Sequence, residues 1–180
     1  MNLRDISPGL DDPVDALFGF HRRVERDLAA LGRLPTHLER FGIDAAASAA
    51  AAGLLHGLGS AAALHHAQEE HEFMPLLERR IARPGEREAF RALRQGLEAD
   101  HREIELLWRS LRRPLEAIAE GLTRRLPVDD IQYFRAIWTT HVCAEEASLH
   151  LLALRHLLPG DRTALAQRIR ARRERGLRAA

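Results

Sequence analysis

The sequence contains no lysine, only one cysteine, and few aromatic residues. All 27 basic residues of this 180-residue chain are arginine, so its surface charge pairs depend on guanidinium groups. Because Cys143 stands alone, no disulfide can form within the chain, which favours a cytoplasmic location. The formal net charge of +1 gives no electrostatic reason to expect nucleic acid as a partner.

Targeting and membrane signals are also scarce. The first ten residues carry Arg4 and Asp5 and lack an apolar core, so we expect no signal peptide. Residues 45–64 are almost long enough to span a bilayer. They consist mostly of alanine, glycine and serine, with His56 among them. This composition favours a helix that packs closely inside the protein, and no membrane partner is expected.

Strand signals are weak, because β-branched residues are few and no segment alternates with a period of two. Apolar residues instead recur at steps of three and four along four long segments. The sequence therefore predicts an all-α protein, an up-down four-helix bundle over about residues 12–158. An additional arginine-rich C-terminal helix is expected over residues 161–176. A single domain, residues 1–180, accommodates all of these helices.

Prolines set the breaks that we expect between helices. The first helix should begin at Asp12–Pro13 and weaken or end by Pro35, and the third should kink or end at Pro114. The second helix should run from about Asp44 toward Ile81, with a bend at Pro75 and an interruption near its glycines.

A histidine replaces an apolar residue in phase with the expected core on every main helix. On the second helix, stepping back from Phe73 by three and then four residues reaches Glu70 and His66. Three helices carry a glutamate four residues after the histidine, one helical turn away. The candidate metal ligands are His21, His66, Glu70, His101, Glu105, His141 and Glu145.

Three buried carboxylates demand a compensating charge, since each would otherwise cost several kcal/mol. No lysine is present to supply it, and arginines are sparse on these stripes. Bound cations fit this need, so the pattern predicts a metal centre. His65 and Glu69 form a second pair, pointing about 100° away. The sequence leaves open whether they lie at the surface, orient the ligands or replace His66 and Glu70.

Four segments together resemble the hemerythrin-like HHE cation-binding domains, across roughly residues 14–157: His21, HHAQEEHEFMPLL, HREIE and HVCAEE. The resemblance implies a four-helix bundle around two Fe ions joined by an oxo or hydroxo bridge, with Zn or Mn possible in a purified sample. In that family's scheme the four histidines His21, His66, His101 and His141 would be terminal ligands. Glu70 and Glu145 would be the bridging carboxylates.

Glu105 departs from the oxygen-carrying members of this family, whose third helix bears a second histidine at that position. A carboxylate ligand there would favour higher oxidation states or other cations over reversible dioxygen carriage. The expected function is therefore binding or sensing of dioxygen, nitric oxide or iron and redox state. Weak peroxidase-type chemistry stays open, and no sequence feature specifies the substrate pocket of an enzyme.

Two other functions remain as alternatives. One is a non-catalytic regulatory or scaffold bundle with a structural metal, in which the basic C-terminal helix recruits a protein partner. The other is a ferritin-like di-iron oxidase, which requires Glu-x-x-His on two helices. Only Glu98 and His101 offer that spacing, so the ferritin-like function is the weaker alternative.

Overall fold

The computed structural model describes the backbone of residues 13–179 and the side chains of residues 14–171. This part of the chain is helical and contains no strand, as predicted. Its five helices are α1 Pro13–Phe41, α2 Ala45–Arg80, α3 Pro84–Ala119, α4 Val128–His156 and α5 Pro159–Ala179. Helices α1 to α4 form the predicted bundle, and α5 is the additional C-terminal helix. The predicted N-cap, Asp12, lies outside the described residues.

Local capping groups define where several helices end. The Asp44 carboxylate accepts the Ala47 N–H at 2.7 Å and caps the first turn of α2, as short acidic side chains commonly do. Helices α1 and α3 are followed by Gly42 and Gly121, whose φ values of 73° and 75° are left-handed. Glycine adopts this conformation without steric cost, so it closes a helix efficiently.

Pro35 and Pro114 lie inside α1 and α3. Of the alternatives expected at these prolines, a helix end is therefore wrong at both, whereas a weakening at Pro35 and a kink at Pro114 stay predictions. A proline in a helix interior costs about 3 kcal/mol. Buried leucines flank both sites: Leu34 and Leu38 in α1, and Leu111 and Leu115 in α3. Burying each leucine contributes about 1.5–3 kcal/mol. The apolar stripe therefore outweighs the proline and carries each helix through it.

Helix α2 is continuous but contains two wide π-helical turns, Leu55–Ala61 and Glu69–Phe73. The first coincides with the expected interruption, which is thus a widened turn and not a break. The second ends just before Pro75, where the Met74 N–H donates to the Glu69 carbonyl five residues back. Proline lacks an N–H and crowds the preceding turn, which favours a widened turn at this place.

Helix α2 is the one described helix that is long and apolar enough, by length and composition alone, to cross a membrane. Its inner alanines and leucines are buried against the other helices: Ala47, Ala51, Leu54, Leu58 and Ala62. Small residues of this kind let helix backbones approach each other closely within a bundle.

The apolar core consists of two clusters with a polar layer between them. Each helix of the bundle passes from one cluster to the other: on α1, Leu17 and Val24 belong to different clusters, and His21 lies between them. The same order holds on α3, where His101 lies between Leu97 and Ile104. The polar side chains of all four helices therefore meet at one level of the bundle.

Helix α5 closes the cluster that lies nearest the start of α1. Leu165 and Ile169 are buried in it, and α5 contacts α1 and α2. Asp161 accepts the Leu158 N–H at 3.0 Å and the Arg80 guanidinium at 2.6 Å, which fixes the first turn of α5. The side chains after residue 171, including much of the arginine-rich stretch, lie outside the described part.

Candidate metal centre

Seven buried residues form the polar layer, and each is at most 8% exposed. Helix α1 contributes one of them, α2 three, α3 one and α4 two. The members are His21, His65, His66, Glu69, His101, His141 and Glu145. Five imidazoles and two carboxylates thus meet in the middle of an otherwise apolar core.

The ligand atoms of this layer fall into overlapping groups in which all atoms lie within 4.8 Å of one another. One group of four contains His21 and His65, and another contains His101 and His141. Glu69 and Glu145 belong to both groups, and His66 joins His101 and His141 in a further group. We call the first the two-histidine end and the second, with His66, the three-histidine end.

Short distances connect the imidazoles of the two-histidine end to the shared carboxylates. Nε2 of His21 lies 3.1 Å from Oε2 of Glu145, and Nε2 of His65 lies 3.1 Å from Oε1 of Glu69. Each histidine of this end therefore meets a different shared carboxylate.

The three-histidine end is assembled around His101 and His141. Their Nε2 atoms are 3.2 Å apart, and Nε2 of His141 lies 3.3 Å from Oε1 of Glu145. Nε2 of His101 lies 3.6 Å from Oε2 of Glu69, and the His66 ring stacks on the His101 ring at 3.9 Å. Three imidazoles thus converge beside the same two carboxylates.

A second set of carboxylates contacts the outward nitrogens of three of these imidazoles. Nδ1 of His101 lies 2.7 Å from Glu70, Nδ1 of His21 lies 3.2 Å from Glu146, and Nδ1 of His141 lies 3.5 Å from Asp100. A carboxylate on one ring nitrogen fixes the tautomer that leaves the other nitrogen free to bind a metal. This arrangement is typical of histidines that ligate metals.

The two shared carboxyl groups differ in charge. Burial raises the pKa of Glu69 well above its ordinary value, and the nearby charge of Glu145 raises it further. Burial also opposes the ionisation of Glu145, but close contacts with His101 and His21 outweigh it and hold this pKa well below its usual range. Two carboxyl groups at one site cannot both ionise easily without a cation.

Burial keeps two imidazoles of the three-histidine end neutral. It lowers the pKa of His66 well below its ordinary value, helped by the neighbouring imidazoles, and lowers the pKa of His141 to about 4. Burial also opposes the protonation of His21 and His101, but contacts with the glutamates raise the pKa of both. A neutral imidazole carries the free lone pair that a metal needs.

Several polar atoms of the layer lack a well-aligned hydrogen bond within the described chain, even where, as between His21 and Glu145, two of them lie close together. They are Nε2 of His21 and His66, Oε2 of Glu69, and both carboxylate oxygens of Glu145. In the described part of the chain no arginine forms an ion pair with Glu69 or Glu145, whose charged contacts are all imidazoles. Unmet buried acceptors of this kind are costly, and cations held between the two carboxylates would satisfy them.

Five of the seven predicted ligands lie in the polar layer: His21, His66, His101, His141 and Glu145. Glu70 does not, and Glu69 takes the place expected for it. The prediction assumed a regular α-helix, in which Phe73 and Glu70, three apart, share a face. The π-helical turn takes more residues per turn, so that Phe73 and Glu69, four apart, share the face instead. That the five predicted residues and Glu69 bind a metal stays a prediction.

Glu105 points away from the layer, so its predicted inward orientation is wrong. Its side chain is 64% exposed and pairs with Arg109 at 2.6 Å. The buried stripe of α3 runs from Leu97 to His101 in four steps and continues to Ile104 in three. A helix with 3.6 residues per turn alternates such steps, so Ile104 occupies the inward position. On α4 the stripe reaches His141 from Trp138 in three steps, and Glu145 follows in four.

His65, like Glu69, belongs to the layer although the sequence left its role open. Its ring packs against Phe20 at 4.4 Å, and it belongs to a different group of ligand atoms from His101. Neighbouring residues on a helix point about 100° apart, which allows His65 and His66 to serve different ends. The pairing of two adjacent histidines with two adjacent glutamates is the signal that could have revealed this.

Two clefts reach the layer from the surface, one on each side of α2. The cleft between α2 and α3 has a volume of about 390 Å³ and ends at His66 and His101. The groove between α1 and α2 has a volume of about 300 Å³ and ends at His65. Each end of the layer therefore has its own approach from solvent.

Glu98, the glutamate of the only ferritin-like spacing, is turned away from this site. Its carboxylate accepts the Arg94 Nε–H at 2.7 Å on the surface of α3. Cys143 is likewise exposed, as expected from its position two residues after His141.

The family model of the hemerythrin HHE cation-binding domain matches residues 12–153 of this chain. This range includes every residue of the polar layer. An uncharacterized protein of Haemophilus influenzae is 26% identical over 136 residues, which is 76% of each of the two proteins.

Proposed function

Since this chain belongs to the hemerythrin HHE cation-binding domain family, we propose that its polar layer holds two iron ions and binds a small diatomic ligand, dioxygen or nitric oxide. One observation carries the proposal: Glu69 and Glu145 belong to both groups of ligand atoms. Carboxylates shared between two groups are suited to bridge a pair of cations.

The two ends differ in the number of ligands that they offer. The two-histidine end has four residues, counting the shared glutamates, and the three-histidine end has five. A site with fewer protein ligands keeps a coordination position open for an external molecule. We therefore assign the binding of the diatomic ligand to the two-histidine end.

The donor set favours iron among the cations considered. Imidazole and carboxylate together suit iron, manganese or zinc. Zinc is redox-inert, and Fe(II) readily transfers electron density to dioxygen and nitric oxide when it binds them. The remaining tasks belong to the protein. Glu70, Glu146 and Asp100 orient the imidazoles, and the apolar clusters on either side confine the access of solvent to the two clefts.

The case against reversible dioxygen carriage loses its basis, since it depended on Glu105 as a ligand. With Glu105 at the surface, the layer has five imidazoles and two carboxylates. Carriage and sensing of the diatomic ligand are both compatible with this set. A purely structural metal is less consistent with it, because two clefts lead to the layer.

Anaerobic loading with Fe(II) tests the proposal. We expect two iron ions per chain by elemental analysis, and new visible absorption when air or nitric oxide is admitted. Glu69→Gln should lose most of the bound iron, whereas the control Glu105→Gln should bind iron like the wild type. A structural metal would bind without any spectral response to nitric oxide. Equal iron content in both variants, or none in the wild type, would overturn the proposal.

A further inference from the structure

The groove between α1 and α2 has a chemical character of its own. Its volume of about 300 Å³ lies at the lower end of the range for ligand pockets. Apolar side chains from both helices form its walls: Leu17, Phe20, Ala61 and Leu64. The floor is formed by His65 and Gln68, and the polar residues Arg23, His56 and Ser60 also line the groove.

Gln68 is a buried polar side chain whose amide nitrogen has no partner. It is 2% exposed, and its amide nitrogen has no hydrogen-bond acceptor among the described residues. A buried amide that forms no hydrogen bond is costly, by about 1–3 kcal/mol. Since Gln68 lines the groove, an acceptor atom on a bound molecule would remove this cost.

The charge of the groove favours an anion. Arg23 is exposed, and its guanidinium lies 5.9 Å from the centre of the Phe20 ring, a distance compatible with a cation–π contact. No aspartate or glutamate lines the groove. The nearby Asp27 carboxylate is directed at Gly57, in the first π-helical turn of α2, where a β-carbon would collide with it. It also interacts electrostatically with Arg23 and His56, so it offsets part of the positive charge beside the groove. A ligand in the groove therefore meets donors and a positive charge, with apolar surface around them.

We propose that this groove binds a small carboxylate with a short hydrocarbon body. Gln68 donates to the carboxylate, Arg23 attracts it electrostatically, and Leu17, Phe20 and Leu64 contact the hydrocarbon. The groove ends at His65, so the bound molecule lies beside the two-histidine end. If that end holds iron, as the proposed function has it, the bound molecule neighbours an iron ion. The groove itself is formed by α1 and α2 alone and does not depend on the metal.

Calorimetric titration with butyrate tests this proposal, in protein loaded with redox-inert zinc and in metal-free protein. We expect Gln68→Leu to weaken butyrate binding roughly 10- to 100-fold, the effect of one hydrogen bond to a charged group. Arg23→Gln should weaken it less, and its control Arg22→Gln should not, because Arg22 does not line the groove. Phosphate and nitrate, which lack a hydrocarbon body, should bind much more weakly.

Metal content and thermal unfolding of each variant separate this proposal from the preceding one. Gln68→Leu should keep the metal content of the wild type, because Gln68 is not in the polar layer. Equal butyrate affinity in the wild type and in a folded Gln68→Leu variant would overturn the carboxylate site, as would phosphate binding as tightly as butyrate. If the wild-type protein binds butyrate but binds neither zinc nor iron, only the proposed metal centre is overturned.

Discussion

The two ends of the polar layer share both carboxylates but differ in their imidazoles. His21 and His65 serve one end, and His66, His101 and His141 serve the other. The difference comes from a single step along α2, because His65 and His66 are neighbours and point about 100° apart. One helix thus supplies both ends, and in the proposed function the end that receives only two histidines is the one that binds the external ligand.

The approaches to the two ends differ as well. Charged and ionisable groups surround the cleft that ends at His66, among them Glu70, Arg102 and Glu105. The groove that ends at His65 contains no carboxylate. An anionic small molecule therefore meets less repulsion from carboxylates on the side where the protein offers fewer ligands.

Removing a shared carboxylate should have the largest effect, because both ends of the layer then lose a metal ligand. We expect Glu145→Gln to lose the metal at both ends, with an affinity loss above about 100-fold, beyond the range for outer partners. Glu145 is 0% exposed and contacts imidazoles from three helices, at His21, His101 and His141. Elemental analysis after equilibrium dialysis measures the change. Retention of two ions per chain by the variant would contradict a shared role.

Removing His65 or His66 alone should change the metal content or ligand binding of one end and leave the other end intact. We expect His65→Ala to retain one ion per chain, because the two-histidine end then keeps a single imidazole. His66→Ala should retain two, because the three-histidine end still has two imidazoles and two carboxylates. It should also bind a second azide, seen in a spectrophotometric titration. If both variants lose the same ion, the division into two ends is wrong.

The helices and their inward histidines were predictable from sequence because apolar stripes at helical spacing set the orientation of His21, His101 and His141. The choice between Glu69 and Glu70 was not, since it depends on the π-helical turn before Pro75, and a regular helix was assumed. Glu105 was misassigned for a related reason. A glutamate four residues after a histidine points inward only where the next buried position of the helix is also four residues on, as after His141. After His101 the next buried position is three residues on, at Ile104.

Neutralising a carboxylate that contacts the outward nitrogen of an imidazole should lower the metal affinity of one end only. We expect Glu70→Gln to lower metal affinity at the three-histidine end by about 10–100-fold, and Glu146→Gln to do so at the two-histidine end. Each glutamate contacts the outward nitrogen of one imidazole, on His101 or on His21. Competition with a chelator of known affinity measures each site. A loss spread evenly over both sites would argue that these carboxylates act on the fold.

Narrowing each cleft with a bulky side chain should have the smallest effect, a change in the rate of azide binding. Ser60 and Ala63 are exposed residues on opposite sides of α2 and line different clefts. We expect Ser60→Phe to slow azide binding several-fold, since it narrows the groove that ends at His65, and Ala63→Phe to leave the rate unchanged. Stopped-flow mixing of azide with the iron-loaded variants measures both. The opposite order would place the open coordination position at the three-histidine end.

The most direct test of the shared carboxylates is anomalous X-ray diffraction from crystals of the iron-loaded protein at the iron absorption edge. We predict two peaks per chain, one beside His21 and His65 and one beside His66, His101 and His141, with Glu69 and Glu145 contacting both. A single peak, or peaks bound by Glu70 or Glu105 in place of Glu69, would contradict this account of the metal centre.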